Sequence, residues 1–333
     1  MSEHTDERIE SEAQLVEQFL LPLTNGDAGT LALRDDCAVL SPPPGMDLLL
    51  TTDSLVEGVH FLPGDVPSFK ALAVNVSDLV AKGAQPFGYL LTLAFPSLPT
   101  RRMMTKLTAG LAAAQSVFGC HLLGGDTDLT GGLLTITIAA IGVVPAGRTV
   151  RRAGAKPGDV VYVSGAIGDA TLGLALRKDP SLRGGYDLDR ASTQALLARF
   201  ETPRPPVALA PVLRQYASAA LDVSDGLAKD FLTLCRVSEV GGEIELDRVP
   251  VSAAAGRALA SGRASIGQLV AGGEDYEVLA TVPQAQASAF EGAARAAGVT
   301  VTAIGRIADE RNIRFLDAEG NAVRLSSTGW EHL

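Results

Sequence analysis

The stretch Leu48-Leu49-Leu50-Thr51-Thr52-Asp53 is an apolar, strand-like run that ends in three oxygen-bearing side chains. The arrangement returns at Leu122-Leu123-Gly124-Gly125-Asp126 and at Ala219-Ala220-Leu221-Asp222-Val223-Ser224-Asp225. Carboxylates at strand ends are costly to desolvate unless something positive neutralises them, and no matching set of lysines or histidines accompanies these motifs. A hard divalent cation with oxygen ligands is the economical partner, and several such ions close together usually serve a polyphosphate.

Taken singly, each motif also has a simpler interpretation as a turn or a helix cap. Thr51, Thr52 and Asp53 could mark the exit of a strand into a turn, and Gly124-Gly125-Asp126 could be a glycine turn with an Asx cap. Ser224 or Asp225 could be the N-cap of a following helix. The prediction of a metal site therefore depends on the whole set and its order.

Other features leave two interpretations open in the same way. Gly165-Ala166-Ile167-Gly168-Asp169 could hold a phosphate, but a turn between a strand and a helix needs little more than glycine. Trp330, the only tryptophan, could fill a core or stack on an aromatic or cationic ring. The remaining features of this kind are Asp35-Asp36, His60, Gly272-Gly273-Glu274-Asp275-Tyr276 and the basic cluster of Arg148, Arg151 and Arg152.

The composition indicates a globular, acidic protein. The chain has 333 residues, of which 47% are hydrophobic, and a formal net charge of -10, which disfavours nucleic acid and anionic membranes as partners. Three cysteines without CxxC spacing argue against a disulfide framework or a zinc site and fit a reducing cytoplasm. The polar start of the chain does not resemble a signal peptide. The longest apolar stretch, Leu133 to Val144, is too short to span a bilayer and predicts a buried strand.

Hydrophobic spacing predicts helices and strands that intermix without strict alternation, which favours α+β layers over a barrel or a doubly wound sheet. A segment rich in Gly, Pro and basic residues around 144–159 predicts a boundary between domains at 1–148 and 149–333. The common nucleotide loops GxxxxGK[ST] and GxGxxG are not found. The predicted elements of the first half include a helix over 9–23, strands near 37–40 and 47–52, and a helix over 68–83.

The motifs, taken in order, closely resemble the thiamine-monophosphate kinase family. The resemblance runs from about residue 9 to the C-terminus and is carried by Arg34-Asp35-Asp36-Cys37-Ala38, Thr51-Thr52-Asp53-Ser54-Leu55, His60-Phe61, Ala73-Val74-Asn75-Val76-Ser77-Asp78-Leu79, Gly124-Gly125-Asp126-Thr127, Arg152 to Asp159, Leu221 to Leu227, Gly272 to Glu277 and Gly329-Trp330-Glu331-His332. One departure is Arg34, which stands where the family usually has glycine before the acidic pair.

The resemblance implies a two-domain synthetase-type fold. Its N-terminal domain would bind ATP and Mg²⁺ and pair in a homodimer, and its C-terminal α/β domain would complete the active site. The implied reaction is ATP-dependent phosphorylation of thiamine monophosphate to thiamine diphosphate by direct in-line transfer, with no catalytic side chain beyond positioning and metal binding. The implied Mg²⁺ ligands are Asp36, Thr51, Thr52, Asp53, Asp78, Asp126, Asp222 and Asp225; the implied ATP contacts are Gly125, Asp126, Arg152 and Ser224; the implied substrate contacts are His60, Glu274 and Trp330.

Two rival functions are weighed against this one. A sister enzyme of the same superfamily is disfavoured, because neither the reactive cysteine of selenophosphate synthetase nor that of the hydrogenase-maturation relative has a counterpart here. Aminoimidazole-ribonucleotide synthetase is compatible by fold but lacks the Thr-Thr-Asp…His-Phe pattern. The second rival is a protein that binds ATP and Mg²⁺ without turnover, and retention of the proposed ligands speaks against it.

Overall fold

The computed structural model describes residues 7–330 and divides the chain into two compact units. The first unit takes in the chain up to Leu79 together with Ala84–Gly147, and the second comprises Val80–Gly83 and the chain from Arg148 onward. Each unit contains one mixed sheet, so the predicted combination of strands and helices in two domains is confirmed at that level. No helix within the described residues is long and apolar enough to cross a membrane.

The first unit has a four-stranded sheet in the order β1-β4-β2-β3. Its strands are β1 (Met46–Val56), β2 (Gln85–Phe95), β3 (His121–Leu129) and β4 (Thr135–Pro145). Only β2 and β3 run parallel; the other pairs are antiparallel. The helices of this unit are α1 (Glu12–Leu15), α2 (Ser68–Ala81, whose last two residues fall in the second unit) and α3 (Arg101–Phe118).

One face of the first sheet is buried and the other is exposed to solvent. Successive side chains of a strand point to opposite faces. On β2 one face carries the buried residues Tyr89, Leu91, Leu93 and Phe95, whereas Leu90 and Thr92 on the other face are exposed. Leu50 of β1 shares the open face and is 73% exposed. The helices of this unit therefore cover one face of its sheet and leave the other open to solvent.

The second unit has a six-stranded sheet in the order β10-β7-β9-β5-β8-β6, in which only β10 and β7 run parallel. Its strands are β5 (Val160–Ser164), β6 (Ala219–Val223), β7 (Gly241–Glu245), β8 (Glu277–Val282), β9 (Val301–Ala308) and β10 (Ile313–Leu316). Its helices are α4 (Asp169–Lys178), α5 (Leu182–Gly185), α6 (Arg190–Glu201), α7 (Ala210–Tyr216), α8 (Leu227–Ser238), α9 (Ala253–Ala260), α10 (Ile266–Ala271) and α11 (Ala287–Ala296).

Helices pack on both faces of the second sheet. The larger core joins Val161 and Val163 of β5 to Phe231 of α8. On the other face the ring of Tyr162 lies 5.0 Å from that of Phe290 in α11, in an edge-on arrangement. A smaller core holds α4, α6 and α9 together. Strands buried on both faces explain why β5, β6 and β8 read as continuous apolar runs without alternation.

Several predicted elements differ from the structure. No strand forms at 37–40, where the chain turns after an irregular segment at Ala28–Leu33. The helix predicted over 9–23 is three short pieces, of which only α1 is α-helical. Strand β1 extends to Val56, because it pairs with β4 over eleven residues. As a result Asp53 lies within its strand and not at the strand's end.

Candidate active site

In the first unit, helix α2 brings two polar side chains to strand β1. Thr51 donates a hydrogen bond of 2.6 Å from its hydroxyl to Asp78, and the backbone N–H of Asp53 donates one of 3.0 Å to the amide oxygen of Asn75. Asn75 is fully buried and also donates to the carbonyl of Ala71, which fixes its orientation. Thr51, Asp53 and Asp78 thus form one oxygen-rich group on the helix-covered face of the sheet.

Asp126 lies elsewhere in this unit. It is on β3, and the register across the sheet places it in one row with Thr92, Thr137 and Ser54 on the open face. Since β1 and β3 are the two edge strands, with two strands between them, about 14 Å separates their backbones. The structure therefore does not bring Asp126 next to Asp53, which also points to the other face.

The glycine before Asp126 has a packing role. A Cβ atom at Gly125 would collide with the backbone carbonyl of Leu91 on β2, so only glycine lets β3 approach at this point. Asp126 itself accepts a 2.8 Å hydrogen bond from the backbone N–H of Thr127. Gly124-Gly125-Asp126 therefore lies within β3 and does not form the glycine turn of the simpler interpretation, and the exposed Asp126 carboxylate remains available to a ligand.

The other predicted residues of the first unit lie near strand β1 or precede it. His60 follows β1, and its Nδ1 accepts a 3.1 Å hydrogen bond from the backbone N–H of Val56. This contact assigns the proton of the neutral ring to Nε2. Thr52 donates to the carbonyl of Ile138. Asp36 lies in an exposed bend, and within the described residues no hydrogen bond joins it to the Thr51–Asp78 group.

In the second unit, Asp222 ends strand β6, and Ser224 and Asp225 follow in the turn before α8. The turn is held from inside the helix, because Asp230 accepts from the backbone N–H groups of Ser224 (3.1 Å) and Asp225 (3.2 Å). Burial, together with the charges of Asp222 and Asp225, raises the pKa of Asp230 to about 8. Three carboxyl groups therefore crowd one turn, in which Lys229 pairs with Asp225.

The Glu274 segment runs directly beside this turn. The backbone N–H of Glu274 donates to the carbonyl of Ser224 at 2.8 Å, and that of Tyr276 donates to Val223 at the same distance. A Cβ atom at Gly273 would lie 2.5 Å from the carbonyl oxygen of Ser224, so glycine is required for the approach. The two motifs Asp222–Asp225 and Gly272–Glu277, far apart in sequence, thus form one surface of the second unit.

Asp275 occupies the N-terminus of helix α4. Its carboxylate accepts hydrogen bonds from the backbone N–H groups of Gly168 (2.9 and 3.1 Å) and Ala170 (3.4 Å). The first N–H groups of a helix have no partner within the helix, and here the Asp275 carboxyl accepts from them. Of the two interpretations of Gly165–Asp169, the structure supports the turn, since its N–H groups are already bonded to a side chain of the protein.

Two further predicted residues lie against the same part of the second unit. The backbone N–H of Trp330 donates to the carbonyl of Asp225 at 3.0 Å, and Lys229 contacts both the Trp330 carbonyl and the Asp225 carboxylate, the latter at 3.0 Å. The indole remains 53% exposed. Arg152 is exposed, and the carbonyl of its neighbour Arg151 accepts from Ala220 of β6.

Comparison with known proteins gives the family. Residues 34–144 match the model of the N-terminal domain of AIR synthase related proteins, and residues 156–317 match that of their C-terminal domain. The thiamine-monophosphate kinase of Caulobacter vibrioides is 40% identical over 326 residues, which cover 95% of this chain and 89% of that protein. The chain belongs to the thiamine-monophosphate kinase family. The resemblance seen in its motifs is thereby confirmed.

Solved thiamine-monophosphate kinase structures have the same fold. The enzyme from Stenotrophomonas maltophilia K279a is 32% identical, with a TM-score of 0.76, and the match covers 87% of this chain and 90% of that one. A second structure, AaThiL complexed with AMPPCP and TMP, is 29% identical with a TM-score of 0.76 and covers 98% of this chain and 99% of that one. Both matches extend over the two units described above.

The donor atoms of this kinase-family chain fit Mg²⁺. Within residues 7–330 no three His, Cys, Asp or Glu side chains form a ready-made metal site. Mg²⁺ is usually held by one or two carboxylates, with water and substrate phosphates completing its shell, so a full protein cage is not required. The Thr51–Asp78 pair and the closely spaced acids around Asp230 supply oxygen ligands.

Sequence reasoning missed the residues that hold the kinase motifs in place. Asp230 and Asp275 lie within or just after quoted motifs, but nothing distinguished a carboxylate that binds a ligand from one that binds backbone N–H groups. Arg199 was also missed, and it donates to Glu277 at 2.5 Å. One sequence signal could have indicated such residues. The motifs around Asp222–Asp230 and Gly272–Glu277 contain more acidic residues than one ligand site uses, so some of them must serve the structure.

Proposed function

We propose that this chain phosphorylates thiamine monophosphate to thiamine diphosphate, with ATP as the donor and Mg²⁺ as the metal, by direct in-line transfer. The similarity over nearly its whole length to thiamine-monophosphate kinases, one of them solved with AMPPCP and TMP, carries the proposal. The reaction joins a phosphate oxygen of the acceptor to the γ-phosphorus of ATP and releases ADP. Because the acceptor is an ionised phosphate, the reaction needs no strong general base.

The acidic residues would hold the metal within each unit. In the first unit the proposed ligands are Asp36, Thr51, Thr52, Asp53, Asp78 and Asp126; in the second they are Asp222 and Asp225. Bound Mg²⁺ would neutralise phosphate oxygens that otherwise repel each other and the acidic chain. The contribution of the protein is orientation: Asn75 holds the backbone beside Asp53, and Asp230 holds the backbone of Ser224 and Asp225.

The remaining predicted residues would contact the two substrates. Gly125, Asp126, Arg152 and Ser224 are the proposed ATP contacts. His60 would donate from Nε2 to a phosphate, since its Nδ1 already accepts from Val56. The exposed ring of Trp330 would stack on the thiazolium or the aminopyrimidine, a contact worth on the order of 1 kcal/mol. Glu274 would accept a hydrogen bond from the exocyclic amine of the pyrimidine.

We also propose that the chain is a cytoplasmic homodimer joined through the first unit. The support is the open face of its sheet, on which Leu50 is 73% and Leu90 is 40% exposed. A monomeric protein rarely leaves such a face uncovered, and a second copy of the same sheet would bury it. The three free cysteines, with no disulfide among the described residues, fit a reducing compartment.

The first experiment is an assay of the purified protein with ATP, Mg²⁺ and thiamine monophosphate, following thiamine diphosphate by chromatography. We expect product from the wild type and at least a hundredfold lower rate from Asp53→Asn, since the amide cannot neutralise a metal ion. Asp47→Asn, on the same strand but outside the proposed ligands, is the matched control. Binding of ATP and Mg²⁺ without any product would overturn the kinase proposal and favour a non-catalytic role.

A further inference from the structure

We propose that Asp275 is a positioning residue that fixes Glu274 for recognition of thiamine monophosphate. The inference rests on the proposed role of Glu274 in substrate binding. It states that the buried Asp275 next to it keeps Glu274 in the position that binding requires. Asp275 touches neither substrate in this proposal. It acts through the backbone of the segment that carries Glu274.

The anchoring of Asp275 is the first observation. The side chain is almost completely buried, at 1% exposure, and it accepts from Gly168 and Ala170 at the start of α4. The backbone carbonyl of Asp275 is also near Arg199, whose guanidinium donates to it at 3.4 Å. The residue is thus held by side chain and backbone from two different helices, α4 and α6.

The backbone on either side of Asp275 is the second observation. Glu274 has φ +73° and Tyr276 has φ +51°, so both non-glycine neighbours are in the left-handed region. Such conformations cost energy for residues with a Cβ atom and persist only where the surroundings impose them. Strain of this kind gathers at ligand-binding segments, and here it flanks the residue with the strongest anchor.

A second buried acid strengthens the anchor. Glu277 accepts from Arg199 and from the hydroxyl of Ser164, each at 2.5 Å. The same hydroxyl accepts from the backbone N–H of Val278, which ties β5 to β8 at this point. The strained segment is therefore fixed at Asp275 and again at Glu277. Its other side is held by the bond from Glu274 to Ser224.

The φ of Glu274 sets the direction in which its Cα–Cβ bond leaves the backbone. If the segment relaxed, Glu274 could leave the left-handed region and its carboxylate would move away from its present direction. Loss of the Asp275 anchor should therefore weaken the binding of the substrate that Glu274 recognises, while ATP binding should change little. A merely structural role would instead lower stability without selecting one substrate.

The test is a double-mutant cycle in the full-length protein with Asp275→Asn and Glu274→Ala. We expect Asp275→Asn to raise the KM for thiamine monophosphate by tenfold or more and to change the KM for ATP by less than about twofold. In the Glu274→Ala background the same change should add no more than about a twofold effect. Equal effects in both backgrounds, or equal effects on both substrates, would overturn the inference.

Asp159→Asn is the matched control. Asp159 is a buried carboxylate at the opposite end of β5, where it accepts from Lys156 and Ser218, so it tests for a general cost of removing a buried charge. We expect it to lower stability and leave the KM for thiamine monophosphate within about twofold. A selective tenfold rise with this control would overturn the inference.

A folding failure and a failure of the proposed function give different results. If Asp275→Asn does not fold, Arg199→Lys replaces it in the same cycle, and a rise in the same KM confined to the Glu274-containing chain is expected. A wild type that forms no thiamine diphosphate refutes the proposed function, which the first assay already decides. An active wild type with an unchanged KM in these variants refutes only the role of Asp275.

Discussion

The carboxyl groups of this chain have two different roles: some are proposed to bind a ligand, and others accept hydrogen bonds from the backbone. Asp230 has the second role. It is 6% exposed, and its Oδ2 accepts from the backbone N–H groups of both Ser224 and Asp225. Asn75 does the same for the backbone of Asp53. Both residues hold a strand or turn that carries proposed metal ligands, so their effect on a ligand would be indirect.

Replacing Asp230 by Asn should weaken Mg²⁺ binding without removing a ligand. Both N–H groups donate to one oxygen, Oδ2 of Asp230, and an amide oxygen in its place accepts more weakly than an ionised carboxylate, so the Ser224–Asp225 turn should loosen. We expect the Mg²⁺ concentration for half-maximal rate to rise about tenfold, equivalent to about 1.4 kcal/mol. The measurement is the initial rate as a function of free Mg²⁺ at saturating substrates.

Asp189→Asn provides the comparison for this Mg²⁺ titration. Asp189 also accepts from a backbone N–H, that of Ser192, but it caps helix α6 at an exposed position. It should leave the Mg²⁺ dependence unchanged. A normal Mg²⁺ dependence for Asp230→Asn would show that the turn keeps its shape without this anchor.

The motif residues of the candidate site could be predicted from sequence, but their partners could not. A run such as Asp222-Val223-Ser224-Asp225-Gly226-Leu227 identifies a strand, a turn and a helix start, because apolar spacing and cap residues are local signals. Which acid faces a ligand depends on contacts distant in sequence, such as that between Asp275 and Gly168. That Asp126 and Asp53 lie on the two opposite edge strands likewise depends on the strand order, which sequence spacing does not give.

At the scale of elements, the junction of α4 and β8 concentrates buried acids. Burial raises the pKa of Asp275 well above its ordinary value, and burial also raises the pKa values of Asp169 and Glu277. Arg199 opposes each of these shifts through its positive charge. The junction therefore tends to keep protons that an unfolded chain would release.

This excess of bound protons gives the stability a definite pH dependence. An unfolded Asp releases its proton near pH 3.8, while folded Asp275 keeps it to a higher pH, so unfolding becomes easier as pH rises through that interval. Each unit of raised pKa costs about 1.4 kcal/mol once the pH exceeds both values. As the pH rises above about 3.8, we expect the urea midpoint of Asp275→Asn to fall less than that of the wild type.

Unfolding curves at several pH values, followed by fluorescence and far-UV circular dichroism, would measure this difference. Asp179→Asn is a suitable comparison, because the hydrogen bonds from Ser181 lower the pKa of that exposed carboxyl. The stability that this lowered pKa contributes is lost only as the pH falls below about 3.8, so at higher pH Asp179→Asn should follow the wild-type trend. Parallel curves for the wild type and Asp275→Asn would contradict the assignment of a raised pKa to this group.

The ends of the strands were harder to predict than those of the helices, because strand ends depend on pairing with other strands. Strand β1 was predicted to end at residue 52, yet its pairing with β4 carries it through Asp53 to Val56. The apolar residues at 37–40 predicted a strand, but this segment pairs with no neighbouring strand and therefore forms none. The helix predicted over 68–83 forms as α2 (Ser68–Ala81), since the apolar spacing that predicts a helix lies within the segment itself.

At the scale of the whole molecule, the open sheet face of the first unit predicts self-association. Leu50→Glu would place a charge in the middle of the proposed dimer contact, where it could not be hydrated, and should convert a dimer to a monomer. Sedimentation equilibrium over a range of concentrations is the measurement. Val117→Glu, at an exposed position on helix α3, is the control and should leave the mass unchanged.

A wild type that sediments as a monomer at micromolar concentration would refute the homodimer. A Leu50→Glu variant that remains dimeric would refute this face as the contact. Because the oligomeric state is measured separately from activity, neither result depends on the kinase assay.

Strand β1 has a consequence for the life of the newly made chain. It is an edge strand of eleven residues with only two charged side chains, Asp47 and Asp53, and its outer apolar residues are exposed. Unprotected edges of this kind recruit other unfolded chains and seed aggregates. Before it dimerises, each copy can therefore aggregate through this edge. The rate of synthesis and the supply of chaperones should then govern the yield of folded protein more than its final stability does.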